Sequence, residues 1–165
     1  MPKYTIESIS LHQQMTGSLI METQDIKNIY KAVCETPSGT GFFIDHMPDF
    51  LYKGDIDDGV PHVHTFYEIL WFQEGTGTHF VDFREYPIRP GTIFFLTPGQ
   101  VHHFDGSAAY RGLAIRLCTD FMRSRGDESD LFVKYDLFHT FDTIPYYVID
   151  NDTAVQLNAL VDSME

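Results

Sequence analysis

Three side chains able to bind a transition metal lie along one short run, Pro61-His62-Val63-His64-Thr65-Phe66-Tyr67-Glu68. Alternate residues of an extended strand project to the same face, so His62, His64 and Glu68 can look into one interior. A straight strand would hold His64 and Glu68 about 13 Å apart, whereas donors to one ion, each about 2 Å from it, must lie within a few Å of one another. Convergence therefore requires a bend or bulge between Thr65 and Tyr67. His102, after the turn Pro98-Gly99-Gln100, offers a fourth donor. Three imidazoles and a carboxylate suit a borderline divalent ion such as Zn2+, Ni2+, Fe2+ or Mn2+. The same groups equally suit hydrogen bonding to a small polar molecule, and residue type alone does not choose between the two.

The remaining histidines carry less signal. His103 has the opposite strand parity to His102 and is expected to point outward. For His79 a satisfied structural role is favoured over ligation; His12, His46 and His139 have no informative spacing. Phe72 and Phe104 share the inward parity of the motif histidines and are the expected pocket wall. No G-x-S-x-G elbow, glycine-rich phosphate loop or activated cysteine is present. Asp55-Ile56-Asp57-Asp58-Gly59 lacks the twelfth-position Glu of a calcium loop, because Phe66 stands there.

The elements that must carry these residues are short strands. Phe42 to His46, Glu68 to Glu74, Thr78 to Phe83, Thr92 to Thr97, Val101 to Asp105 and Tyr110 to Leu117 read as strands, separated by turns at Gly75-Thr76-Gly77, Pro90-Gly91 and Pro98-Gly99. A further strand is expected near Ile29 to Glu35, whereas residues 1–27 have no clean period. Glu68 to Glu74 is apolar on both faces, so an arm, a helix or a partner must cover its outer side. After Thr119 the pattern turns helical, with short helices expected at Thr119 to Arg123 and Leu131 to Phe138. A last helix starting at Asn151 or Asp152 places Ala154, Leu157, Leu160 and Val161 on one face and reads as continuing through Glu165.

The chain has 165 residues, enough for one domain with a sizeable core. Its 11 Lys and Arg against 24 Asp and Glu give a net charge of -13, which excludes direct binding to a phosphate backbone. No apolar run is long enough to span a membrane. Cys34 and Cys118 lie far apart in apolar stretches and read as unpaired core residues of a cytoplasmic protein, with a disulfide between them as the lesser alternative.

From His62 to Gly75 the spacing is H-x-H-x3-E-x6-G, and Gly91, Gly99 and His102 follow at a second characteristic spacing. These residues resemble the cupin family. The second motif departs at Pro98, which directly precedes Gly99, and at Gly106, where the family has Asn; Gly54 and Gly59 both miss the opening glycine of the first. The wording around the ligands, His-x-His-x-Phe-Tyr-Glu-Ile and Pro-Gly-Thr-Ile-Phe-Phe-Leu-Thr-Pro-Gly-Gln-Val-His, is similar to the amino-terminal sensing domain of AraC-type transcriptional regulators over residues 59–117.

The resemblance implies a mainly β fold, a cupin-type double-stranded β-helix or jelly-roll barrel with C-terminal α-helices. Residues 1–27 would be an N-terminal arm, 28–118 the barrel and 119–165 a helical segment. It implies a metal set of His62, His64, Glu68 and His102, and a small-molecule effector, a sugar being one candidate, held by those four with Phe72 and Phe104. It further implies a homodimer through Leu157, Leu160 and Val161, against the alternative that this helix folds back on its own barrel. DNA would be reached only through a helix-turn-helix domain beyond Glu165, and the chain would not be an enzyme. The competing reading is a stand-alone metal-dependent cupin enzyme of dioxygenase or isomerase type, using the same four residues.

Overall fold

In the computed structural model, residues 4–9, 29–34, 41–47, 59–105, 109–124, 137–138 and 146–164 are described. Residues 131–136 of the helix expected over Leu131 to Phe138, the acidic loop before Gly59 and most of the arm lie outside them, and Leu137 and Phe138 themselves are not helical. Among the described residues, eleven strands form two sheets. The first has the order β1 (Tyr4–Ile9), β2 (Ile29–Cys34), β4 (His62–His64), β9 (His102–Phe104), β6 (Gly77–Val81), β7 (Arg84–Ile88). The second runs β11 (Tyr146–Val148), β8 (Thr92–Leu96), β5 (Tyr67–Glu74), β10 (Arg111–Leu117), β3 (Phe42–Met47). All neighbours are antiparallel except β2 and β4. The fold is a cupin-like β-barrel.

Strand alternation builds the interior. Leu70, Phe72, Phe94, Leu96 and Ala114 from the second sheet meet Val81, Tyr86, Ile88 and Phe104 from the first in one buried cluster. A one-residue slip in any of these strands would turn its apolar set outward, which is what holds the register. At Gly112 the ladder between β10 and β5 shifts register, and a Cβ there would run into the Trp71 carbonyl oxygen. Only glycine lets the two backbones approach so closely.

On β5, β8 and β10 the odd-numbered residues point the other way, and on β3 Ile44 does so opposite Ile115. Trp71, Ile93 and Leu113, with Ile44, Ile69 and Phe95, form an outer apolar face, and Val161, Ala154 and Leu157 of the last helix pack onto it. That helix, α2 (Asn151–Asp162), follows α1 (Thr119–Ser124) in the chain. The cover that the doubly apolar β5 requires is thus intramolecular. Val161 is buried on its own barrel while Leu160 is 57 % exposed, so the expected dimer stripe divides, with Val161 and much of Leu157 already occupied. The outer sheet face was the nearest apolar surface available to the helix.

Other boundaries move for local reasons. Asp150 is the N-cap, accepting from the Thr153 amide at 2.8 Å. The helix stops at Asp162, where the Ser163 N–H and hydroxyl satisfy terminal carbonyls, so it does not run through Glu165. The strand expected over Thr78 to Phe83 breaks into a hairpin, because Asp82 and Phe83 adopt positive φ of 47° and 66°. No Gly or Asn marks this turn. Asp82 instead fastens it to the next connection, accepting from Gln100 Nε2 at 2.8 Å and from the Val101 amide at 3.3 Å. Residues Tyr4–Ile9 of the unread arm are an edge strand. Cys118 is disulfide-bonded and no described cysteine is free, which corrects the expectation of unpaired core thiols.

Candidate functional site

The bend expected between His64 and Glu68 is where the chain changes sheets. β4 ends at His64, Thr65 and Phe66 form a bend, and β5 begins at Tyr67. His62 and His64 consequently stand on the first sheet and Glu68 on the second, facing one interior. His62 is the direct partner of His102 on β9, and Gly99 donates its N–H to the His64 carbonyl at 2.9 Å, holding the turn before His102 against β4.

His62, His64 and His102 are buried and offer ring nitrogens that lie within 4.8 Å of one another. Each ring has one nitrogen held from outside the cluster. His62 Nδ1 is 2.8 Å from the Val60 carbonyl oxygen, which must accept, so Nδ1 carries the proton and Nε2 the lone pair. His64 Nδ1 faces Glu68 Oε2 at 3.5 Å, and His64 Nε2 lies 3.1 Å from His102 Nε2. His102 Nδ1 is 3.0 Å from His79 Nε2. Phe66 stacks on the His64 ring at 4.4 Å.

Three of the four expected ligands therefore converge, and Glu68 stands behind His64 as its partner instead of joining the group. This donor set can hold a divalent metal: three neutral imidazoles with a carboxylate bracing one of them is the arrangement such sites use. Burial pushes the His62 pKa down, and pushes those of His64, His79 and His102 well below the ordinary imidazole value, with neighbouring rings adding to the effect. At neutral pH these rings are uncharged, the form that ligates metals.

Phe72 and Phe104 point inward, as parity requires. They close the apolar end of the barrel with Tyr110, at ring separations of 5.2 to 5.9 Å. Phe104 also stacks on His79 at 4.3 Å, so it stands where the polar cluster meets the apolar core. His103 is half-buried and stacks outside on Phe80, as expected.

Two functional candidates escaped the sequence reading. His79 is fully buried and directly contacts His102; its even spacing from Val81 on an inward-facing strand was the available signal. Arg116 is 2 % exposed, hydrogen-bonds Asp45, and lies directly opposite Glu68 in the β5–β10 pairing. Desolvation lowers its pKa to about 10 and raises that of Asp45. An arginine set between Ile115 and Leu117, at the parity of Ala114, was the clue.

The family model for the AraC-like ligand-binding domain matches residues 49–164, well over half of the chain. The chain belongs to this family. Among solved structures it is similar to ToxT from Vibrio cholerae, at 11 % identity and a TM-score of 0.45, covering 74 % of this chain and 48 % of that one. The chain thus spans about half the length of that protein. No curated protein matches it in sequence. As an AraC-like ligand-binding domain, the barrel is a ligand-sensing regulatory unit, and no described helix is long and apolar enough to cross a membrane.

Proposed function

We propose that this domain senses a small polar effector inside its barrel, dimerises, and controls transcription through a helix-turn-helix domain lying outside these 165 residues. The observation that carries this reading is the buried set His62, His64, His102, His79, Glu68 and Arg116, enclosed by strands of an AraC-like ligand-binding domain. So many polar side chains in a barrel interior carry a desolvation cost that structural stability alone does not require. They offer neutral acceptors and donors, one carboxylate and one guanidinium beside aromatic faces, which suits a hydroxylated or acidic small molecule such as a sugar. We further propose that His62, His64 and His102 hold one divalent ion, which would act as a Lewis acid toward an oxygen of the effector. A chain acting with DNA works in the cytoplasm, and the net charge of -13 keeps this part of it off the DNA itself. The family assignment favours this reading over a metal-dependent dioxygenase or isomerase.

A thermal-shift survey of sugars and small hydroxy acids tests the effector site. A true effector at 100 times its Kd should stabilise the domain by about 2.7 kcal/mol, and His102→Ala should erase the shift. If none of these compounds shifts the wild type, or if His102→Ala leaves a shift intact, the barrel interior is not where the effector sits.

For the dimer, the exposed flank of α2 and the turn after it are the proposed contact, since Leu160 and Met164 remain 57 % and 53 % exposed while Leu157 is only partly buried against the barrel. Burying each large side chain against a second copy would contribute roughly 1.5 to 3 kcal/mol. Sedimentation should show a dimer that Leu160→Glu splits without lowering the melting temperature. A species of 19.0 kDa at high micromolar concentration would count against it.

A further inference from the structure

We propose that Arg116 anchors the effector, and that Asp45 occupies the position on it that a carboxylate of the effector takes over on binding. The inference deepens the reading of the barrel interior as the effector site and rests on it; the class it names is a monocarboxylate, such as a sugar acid or a hydroxy acid. Arg116 shares the parity of Ala114, so its side chain enters the barrel, where it is buried. It lies opposite Glu68 on β5 and opposite Phe43 on β3, and its Nη2 donates to Asp45 Oδ2.

The two carboxylates beside Arg116 are held differently. Glu68 is fully buried and faces His64 Nδ1 at 3.5 Å, so it is enclosed on the inner side. The Asp45 side chain is 36 % exposed, on β3, the last strand of the second sheet among the described residues. Met47, two residues on, packs into the interior cluster, which fixes Asp45 on the inward face of that strand. The interior set of His62, His64, Glu68, His79, His102 and Arg116 is buried throughout, and Asp45 is the polar contact through which it reaches solvent. An effector approaching from there meets Asp45 first and Arg116 directly behind it.

A guanidinium presents its donors as a planar fork, which pairs with a carboxylate through two parallel bonds. Asp45 meets that fork from a strand to which it is tethered, whereas a carboxylate arriving from solution can turn both oxygens toward it. Exchanging one carboxylate for another leaves the charge around Arg116 unchanged. A neutral effector that displaced Asp45 would strip a buried guanidinium of its counter-charge, and a phosphate dianion would add a second charge beside Glu68. The interior therefore selects a single carboxylate. Asp45 itself is loosely committed: burial raises its pKa, and swinging outward from β3 returns it to water.

The experiment uses sodium acetate as the probe, with acetamide as its uncharged isostere and sodium chloride to match ionic strength, on wild type, Asp45→Ala and Asp45→Asn. Asp45→Ala clears the position on Arg116, so acetate should raise its melting temperature along a saturating curve, by roughly 5 to 10 °C at a hundredfold excess over Kd. Acetamide and chloride should leave it unmoved, and the Arg116 Nε–H resonance should shift over the same acetate range. Wild type, where Asp45 competes, should need about tenfold more acetate or beyond. Asp45→Asn keeps a neutral acceptor beside the guanidinium and should fall between the two; it carries the test if the alanine variant does not fold. Sugars and hydroxy acids that stabilise the wild type should prove to be acids and should bind Asp45→Ala more tightly. The proposal is overturned if acetate does no more than acetamide or chloride on the Asp45 variants, if the Arg116 resonance stays still while the melting temperature rises, or if a stabilising compound is neutral. A survey in which no compound shifts the wild type would remove the effector reading itself, and the acetate response would then decide the carboxylate site on Arg116 alone.

Discussion

His64→Ala is expected to abolish uptake of a divalent ion, while Glu68→Gln only weakens it. His64 is the ring that faces both ways, with Nδ1 toward Glu68 and Nε2 toward His102. Removing it leaves two imidazoles and an unbraced carboxylate, and the remaining donors no longer surround a common point. Glu68, by contrast, lies outside the group of converging nitrogens, so its replacement by an amide should cost about the 10- to 100-fold typical of an outer partner. The measurement is metal content per chain after dialysis against zinc, nickel, iron or manganese, on protein purified without an immobilised-metal column, because imidazole clusters readily take up nickel. Wild type should hold close to one ion per chain. Wild type that stays empty with all four metals would remove the metal and leave the cluster as a polar effector site. Equal losses in His64→Ala and Glu68→Gln would instead restore Glu68 as a direct ligand.

That distinction shows what was legible from residue order. The need for a bend between His64 and Glu68 followed from strand rise alone, and the bend is present, but its consequence did not follow. Placing Glu68 on the opposite sheet depends on how far the two sheets stand apart, which local spacing does not encode. Period-two alternation was enough to direct Phe72 and Phe104 inward and His103 outward. It was not enough for His79, whose strand tolerated either orientation until the Asp82–Phe83 turn fixed Val81 opposite His102. The stripe on α2 was visible, and its amphipathic spacing was real. Which surface would receive it is a competition between the barrel's own outer face and a second copy, and Val161 shows the barrel winning at that position. Arg116 was passed over because an arginine in a largely apolar strand is ordinarily a surface residue, as Arg111 on the same strand is; only the pairing with Asp45 and the position opposite Glu68 reveal it as interior.

The metal-free domain should lose stability steeply as the pH falls below the ordinary histidine range. His64, His79 and His102 are fully buried, and desolvation holds their pKa values well below 6.5, with the neighbouring imidazoles pushing the same way. In the unfolded chain the same rings titrate normally. Between those two limits the unfolded state binds more protons than the folded one, so stability is complete above about pH 6.5 and declines as the pH drops toward the folded values. Each ring that stays neutral removes up to about 1.4 kcal/mol per pH unit. Three acting together would exhaust the about 5 to 15 kcal/mol of a typical domain within a few pH units. Asp45 works in the opposite direction, since burial raises its pKa and acid then favours the folded form, but it is a single half-buried group against three fully buried rings. Urea unfolding midpoints followed from pH 7.5 downward in the presence of a chelator would show the slope. Replacing His79 by Phe should make it shallower, because one proton-binding ring is then missing from the unfolded chain. A midpoint that stays flat as the pH falls from 7 toward 5 would mean that the rings take up protons in the folded barrel as readily as in the unfolded chain, and burial would not be holding them neutral.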